Sequence, residues 1–154
     1  MIVLEEKSVT LQTEIKDMKR LHFQPIQGKA SDIIDAILHT EEVASLGNIS
    51  RIIHLVVEEV VVNIESYSCS EYLDVEIIRQ PERITFRFRD GGVPFNPLEI
   101  DAPDTTLPMG QRQVGGLGIY LVIKKAESVA YEYTNGENVF TVSLQTNKTV
   151  KSCF

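Results

Sequence analysis

The sequence predicts a two-layer α/β (α+β) sandwich in which a mixed β-sheet carries its helices on one face. Three observations predict it. The chain has 154 residues, the length of one domain, so residues 1–154 are expected to form a single unit. Hydrophobic residues make up 43% of it, enough to build a core without metal or disulfides. Its apolar residues recur with a helical period in some segments and alternate in others. The resulting order is strand, helices, strand, strand, long loop, helix, strand, strand, which is not the alternating βαβ order of a doubly wound sheet.

Residues 8–14 (SVTLQTE) alternate, with Val9, Leu11 and Thr13 on one face, and read as a first strand. From Ile15 the pattern turns helical until Pro25 and Gly28 interrupt it. Ser31 can cap a second helical piece carrying Ile33, Ile34, Ile37 and Leu38, which Gly47-Asn48 ends. Residues 50–66 are rich in Val and Ile, which favour strands. Periodicity decides for a helix: Ile53, Val56, Val57, Val60, Val61 and Ile64 fall on one stripe. A strand would set Glu58 and Glu59 on opposite faces in the middle of an apolar run. Ser50 is the expected cap of this helix.

Residues 72–79 read as a strand, and Pro81-Glu82 as a turn. Ile84, Phe86 and Phe88 then alternate with Thr85, Arg87 and Arg89 in the next strand, which Asp90-Gly91-Gly92 breaks. A loop rich in Pro, Asp and Thr follows over residues 93–114, of the length expected for a lid or binding loop. Gly115-Gly116 opens a helix, GLGIYLVIKKAE. Residues 128–134 and 138–145 are strands joined by an Asn135-Gly136 hairpin turn. The tail NKTVKSCF is expected to fray.

Asp and Glu outnumber Lys and Arg by 22 to 15, giving a net charge of −7. Charge-driven binding to nucleic acid needs the opposite balance. The expectation is therefore no direct nucleic-acid contact and no attraction to an anionic membrane. No uncharged apolar run approaches the ~18 residues of a membrane span, and MIVLEEKSVT does not read as a secretory signal. Cys69 and Cys153 form no disulfide framework and read as free thiols of a reducing compartment. A cytoplasmic protein is expected.

Three groups of residues could carry chemistry. Glu59 and Asn63, spaced i, i+4, project from one flank of the long helix at the rim of its apolar stripe, while His54, Glu58 and Glu65 point away. A carboxylate there can act as a general base, and an amide oxygen suits a hard cation such as Mg²⁺. Asp90 can accept a hydrogen bond from an amine, and Gly92 permits close backbone approach. Gly115, Gly116, Leu117 and Gly118 open a helix whose free N–H groups can meet an anion. The run matches neither the Walker pattern nor the dinucleotide fingerprint. His22, His39 and His54 have no mutual metal-ligand spacing, and no serine lies in a GxSxG elbow.

Taken in order, Glu59-x-x-x-Asn63, Asp90-x-Gly92 and Gly115-Gly116-x-Gly118 resemble the N, G1 and G2 boxes of the Bergerat (GHKL) ATP-binding fold of gyrase, histidine kinases and MutL-type proteins. DGGVPFNP, a lid, and GGLGIYLVIKKAESVAYEYTNGENVFTVSL are similar to the RsbW-like group of bacterial anti-sigma factors that are also serine/threonine protein kinases. The resemblance spans residues 8–144. Three positions depart from the group's usual pattern. Tyr67 lies where a His is usual nearby, Asn96 replaces Asp in the P-F-D-P run, and Glu127 replaces the Asp after the last helix.

The resemblance implies a site for ATP or ADP with Mg²⁺. Asp90 would accept from the adenine amine, Gly92 would line the base pocket, and Asn63 would hold Mg²⁺. The N–H groups of Gly115, Gly116, Leu117 and Gly118 would meet the phosphates. Thr141, on the last strand, would sit near adenine. Glu59 would be the general base that deprotonates a partner's serine or threonine. The implied partners are a sigma factor and a STAS-type anti-sigma-factor antagonist, and the implied assembly is a homodimer. The alternative is a regulatory module that binds ATP without kinase activity. A third reading, the ATPase half of a histidine kinase, is disfavoured because no helical segment here bears a phospho-acceptor histidine.

Overall fold

A computed structural model describes residues 2–8, 17–99 and 117–147. Strands β1 (Ile2–Ser8), β2 (Asp17–Gln24), β3 (Leu73–Gln80), β4 (Arg83–Asp90), β5 (Ser128–Thr134) and β6 (Glu137–Gln145) form one sheet in the order β1-β2-β3-β4-β6-β5. Helices α1 (Ala30–Leu38), α2 (Glu41–Ala44), α3 (Ser50–Tyr67) and α4 (Leu117–Lys125) supply the second layer. The two-layer sandwich is as expected, but the sheet is not mixed: every pairing among the described strands is antiparallel. Both hairpins, β3–β4 and β5–β6, lie where the turn residues place them.

The sheet has one apolar face and one on which charged residues lie beside Ile78, Thr85, Val139 and Ser143, because side chains alternate along each strand. Register sets Leu21, Val75, Phe88, Phe140 and Tyr131 across five strands as one row of the helix-covered face. The flanking rows contain Ile77, Phe86 and Val142 on one side and Leu73, Asp90 and Asn138 on the other. Arg20, Glu76, Arg87 and Arg89 lie on the opposite face, where all three guanidinium groups lean on the Glu76 carboxylate at 3.4–3.6 Å.

Helix α3 is the centre of the second layer. Its Ile53, Val56, Val57, Val60 and Val61 are buried, as the stripe requires. They join Ile33 and Ile37 of α1, Ile119 and Val122 of α4 and the apolar rows of the sheet in one core. The strand preference of Val and Ile yields here to burial of the whole stripe.

The N-terminal third departs from expectation. The segment expected to turn helical at Ile15 is strand β2, paired on one edge with β1 and on the other with β3. In DMKRLHFQ, Leu21 and Phe23 are fully buried and alternate with Arg20, His22 and Gln24, so the relevant period is two. Ser8 ends β1, and the rest of the strand expected over residues 8–14 lies outside the described residues. Neither expected serine cap forms. Helix α1 starts from Lys29 and α3 from Ile49, each without a side-chain cap. Ile49 is itself the last residue of a 3₁₀ turn, Gly47–Ile49, that feeds directly into α3. The second helical piece ends at Leu38 rather than Gly47-Asn48; α2 intervenes, and Asn48 donates to the Thr146 carbonyl at 2.8 Å. The tail from residue 148 and Cys153 lie outside the described residues, and Cys69 is exposed with a free thiol.

The two faces of α3 and of β4 make a stability test. Phe86→Ala, deep in the core, should lower unfolding free energy by about 3–5 kcal/mol through lost burial and the cavity left behind. Val62→Ala, on the exposed flank of α3, should change it by less than about 0.5 kcal/mol. Urea denaturation of both variants checks the layer assignment; equal losses would contradict it.

Candidate functional site

The site lies where α3 ends, β4 ends and α4 begins. Asp90 is the last residue of β4 and falls on the covered face of the sheet, by the same alternation that buries Phe86 and Phe88. It is 3% exposed. Two donors meet its Oδ1: the Gly92 N–H at 2.9 Å and the Asn138 Nδ2 at 3.1 Å. Burial pushes its carboxyl above the ordinary range, and the nearby Glu137 charge adds to this, while these two hydrogen bonds hold it down.

A narrow cleft opens above Asp90. Its walls are apolar: Val60 and Ile64 from α3, Phe95 and Pro97 from the loop after β4, Ile119 from α4 and Phe140 from β6. Asn63, Ser68, Tyr131 and Asn138 add polar groups at its edge and floor. An apolar cleft with a carboxylate in its lining suits an apolar ligand that carries a hydrogen-bond donor.

Glu59 and Asn63 are both half-buried on the flank of α3, as their spacing requires. Asn63 reaches the cleft. Glu59 turns to the first turn of α4. A Cβ at Gly118 would lie 1.7 Å from Glu59 Oε2, so only glycine admits that carboxylate. Burial, followed by the neighbouring Glu58 charge, raises the Glu59 carboxyl above its usual range. Leu117 is the first described residue of α4, and the first turn of a helix carries N–H groups without partners inside the helix. Gly115 and Gly116 lie outside the described residues, as does the lid expected over residues 93–114 beyond Glu99.

Two sequence expectations change. Gly92 does not owe its identity to the cleft: a Cβ there would lie 2.0 Å from the Ser68 carbonyl oxygen. Its bareness seats the loop on the end of α3, and the Val93 N–H donates to that same carbonyl at 2.9 Å. Thr141 lies on the opposite face of the sheet from Asp90, beside Arg87 and Ala130 in register. Phe140 faces the cleft, so its neighbour in a strand must face away. The polar β6 residue at the site is Asn138, paired directly with Asp90.

The three departures from the family pattern also have places. Asn96 Oδ1 accepts from the Leu98 N–H at 2.9 Å and so holds the 3₁₀ turn Pro97–Glu99, a task that Asp and Asn share. The Tyr67 ring stacks on Phe95, the outer wall of the cleft, at 6.1 Å. Glu127 is bound in a bidentate pair by Arg83, at the other end of β4 from Asp90.

Asp90→Asn separates folding from ligand binding. A carboxyl whose folded pKa is raised loses stability as pH climbs from its unfolded pKa through its folded one. The variant, which keeps an oxygen for Gly92 and Asn138, should therefore melt higher than wild type at pH 7. The gap should close on acidification below the ordinary aspartate range. Calorimetric melting across pH checks this, and a lower melting temperature for the variant at pH 7 would contradict it.

Residues 28–144 match the histidine kinase-like ATPase domain family. A search of curated proteins finds no match. Among the described residues no helix is long and apolar enough to cross a membrane. The family match runs across α1 to β6 and contains every element that builds the cleft. The chain belongs to the histidine kinase-like ATPase (GHKL) family and is an ATP-binding module of that fold.

Proposed function

We propose that the protein is an anti-sigma regulator with serine/threonine kinase activity, which phosphorylates a STAS-type antagonist and sequesters a sigma factor. The observation that carries the kinase reading is the position of Glu59, one helical turn from Asn63 and against the first turn of α4 at Gly118. Its burial makes it a stronger base than an exposed glutamate. The partner choice rests on the likeness of DGGVPFNP and GGLGIYLVIKK to the RsbW-like group. A homodimer and a cytoplasmic location belong to the same reading.

Adenine would enter the apolar slot with its amine toward Asp90, and the phosphates would extend past Asn63 to the start of α4. Glu59 takes the proton of the incoming hydroxyl, whose oxygen bonds to the γ-phosphorus as the bond to ADP breaks. Among the described residues no three His, Cys, Asp or Glu side chains gather as a metal cage. The donor set at Asn63, a single amide oxygen, fits a Mg²⁺ ion that keeps most of its ligands as water and phosphate oxygen. That ion would neutralise phosphate charge.

A specific observation also favours the reading without kinase activity. A carboxylate at the start of a helix stabilises the helix electrostatically, and Glu59 fills that position at α4. Glu59→Gln decides between the two. For a kinase, ATP affinity should stay within a few-fold, and transfer to the antagonist should fall by roughly 10²–10⁴. Asn63→Ala should lower both. Labelled ATP, calorimetry and a purified antagonist supply the measurements. Transfer by Glu59→Gln at the wild-type rate would remove the base; ATP binding without transfer by any form would establish the switch module.

A further inference from the structure

The Asn138 side chain is 6% exposed, and its amide uses every hydrogen-bonding valence it has. Nδ2 donates to Asp90 Oδ1 at 3.1 Å and to the Val93 carbonyl at 2.9 Å. Oδ1 accepts from the Phe95 N–H at 3.0 Å and the Tyr131 hydroxyl at 2.6 Å. Two donors and two acceptor sites are the whole capacity of the group. None is left for a ligand, although the residue sits at the floor of the cleft.

The four partners belong to three separate pieces of the site. Asp90 is the carboxylate at its base, Val93 and Phe95 are the loop that forms its outer wall, and Tyr131 comes from the edge strand β5. With Gly92 also on Oδ1, both observed donors meet one oxygen of Asp90. Oδ2 receives none among the described residues.

We propose that Asn138 is the positioning residue for purine selectivity: it pins Asp90 by Oδ1, presents Oδ2 to the cleft as a pure acceptor, and holds the Val93–Phe95 wall against the ring. An acceptor in that position favours a purine with an amine at carbon 6 and opposes one with an oxo group there. Two facing acceptors exclude a hydrogen bond, and the buried carboxylate would be left unpaired. The proposal rests on the ATP-binding reading of the cleft. Asn138 acts through Asp90 and the loop, without touching the nucleotide.

ATP and inosine triphosphate differ only along that edge of the ring, in the carbon-6 group and the N1 proton that accompanies the oxo form, and are the probes. Wild type should prefer ATP by about 10²-fold or more. Asn138→Leu, which keeps the branching at Cγ but removes all four bonds, should weaken ATP by about 10-fold or more and shrink the preference by at least as much. Its loss of ATP binding on acidification should also begin at a higher pH. Asn138 is one of the two groups that hold the Asp90 proton affinity down, against burial and Glu137, which raise it. Tyr131→Phe removes one bond to Asn138 and leaves the bond to Asp90. It should weaken ATP a few-fold and leave that pH midpoint in place. Should Asn138→Leu fail to fold, Asn138→Ser carries the same comparison. An unchanged ATP preference and pH midpoint in a folded Asn138 variant, beside a wild type that binds ATP, would overturn the proposal. A wild type that binds neither nucleotide would instead overturn the reading of the cleft.

Discussion

A carboxylate buried at the end of a central strand is the constraint on which the functional half of the molecule turns. Removing a charged group from water is costly unless it is bonded, and a partly satisfied polar cluster costs more than an apolar one. Asp90 meets that demand with the Gly92 N–H and the Asn138 amide. Each of those partners imposes its own geometry. Gly92 can reach Asp90 because the loop lies flat on the Ser68 carbonyl, where no side chain fits. Asn138 can reach it because β4 and β6 pair with Asp90 opposite Asn138. The turn after β4, the end of α3 and the register of β6 are thus coupled through one side chain.

Helix α3 carries the second half of the arrangement by serving two layers at once. Its apolar stripe is the middle of the core, and the flank of that stripe presents Glu59 and Asn63 to the seam with α4. Because the stripe fixes the helix's rotation, the flank cannot turn away without exposing Val56, Val57 and Val60. Gly118 completes the seam. Its missing side chain lets the Glu59 carboxylate approach α4 more closely than any other residue would allow. Packing energy in the core therefore sets the aim of the polar groups at its rim.

How much of this was legible in the sequence follows from where the information resides. The periodicity of α3 and the alternation of β3 to β6 are local patterns backed by burial, and they predict the elements directly. DMKRLHFQ misleads because Met18 and Leu21 sit three apart, while the burial that decides its state comes from pairing with β3. The Ser50 cap fails as a prediction because a preceding 3₁₀ turn, invisible to propensity, leads into α3, and the Ser31 cap fails because α1 already begins at Ala30. At the candidate site, spacing and motif place Asn63 and Asp90 where they border the cleft and Glu59 where it meets α4. Asn138 was not legible, since its role comes from the strand opposite it. Yet parity held a clue: of the four apolar residues of β6, Phe140, Val142 and Leu144 share one face with Asn138, whereas Val139 and Thr141 lie on the other.

The same parity explains why the cleft forms between the layers instead of on the open sheet. On the opposite face, Arg20, Arg87 and Arg89 share the half-buried Glu76 carboxylate. On the covered face the apolar rows end at Leu73, Asp90 and Asn138, and no further apolar residue continues β4 past Asp90. There the loop lined by Phe95 and Pro97 takes over from the sheet, and α3 and α4 come together above it. Phe140, Ile64 and the Asp90 carboxylate all line the opening at that boundary. The cleft is therefore the unfinished end of the core, kept open by the one polar pair that the strands place there.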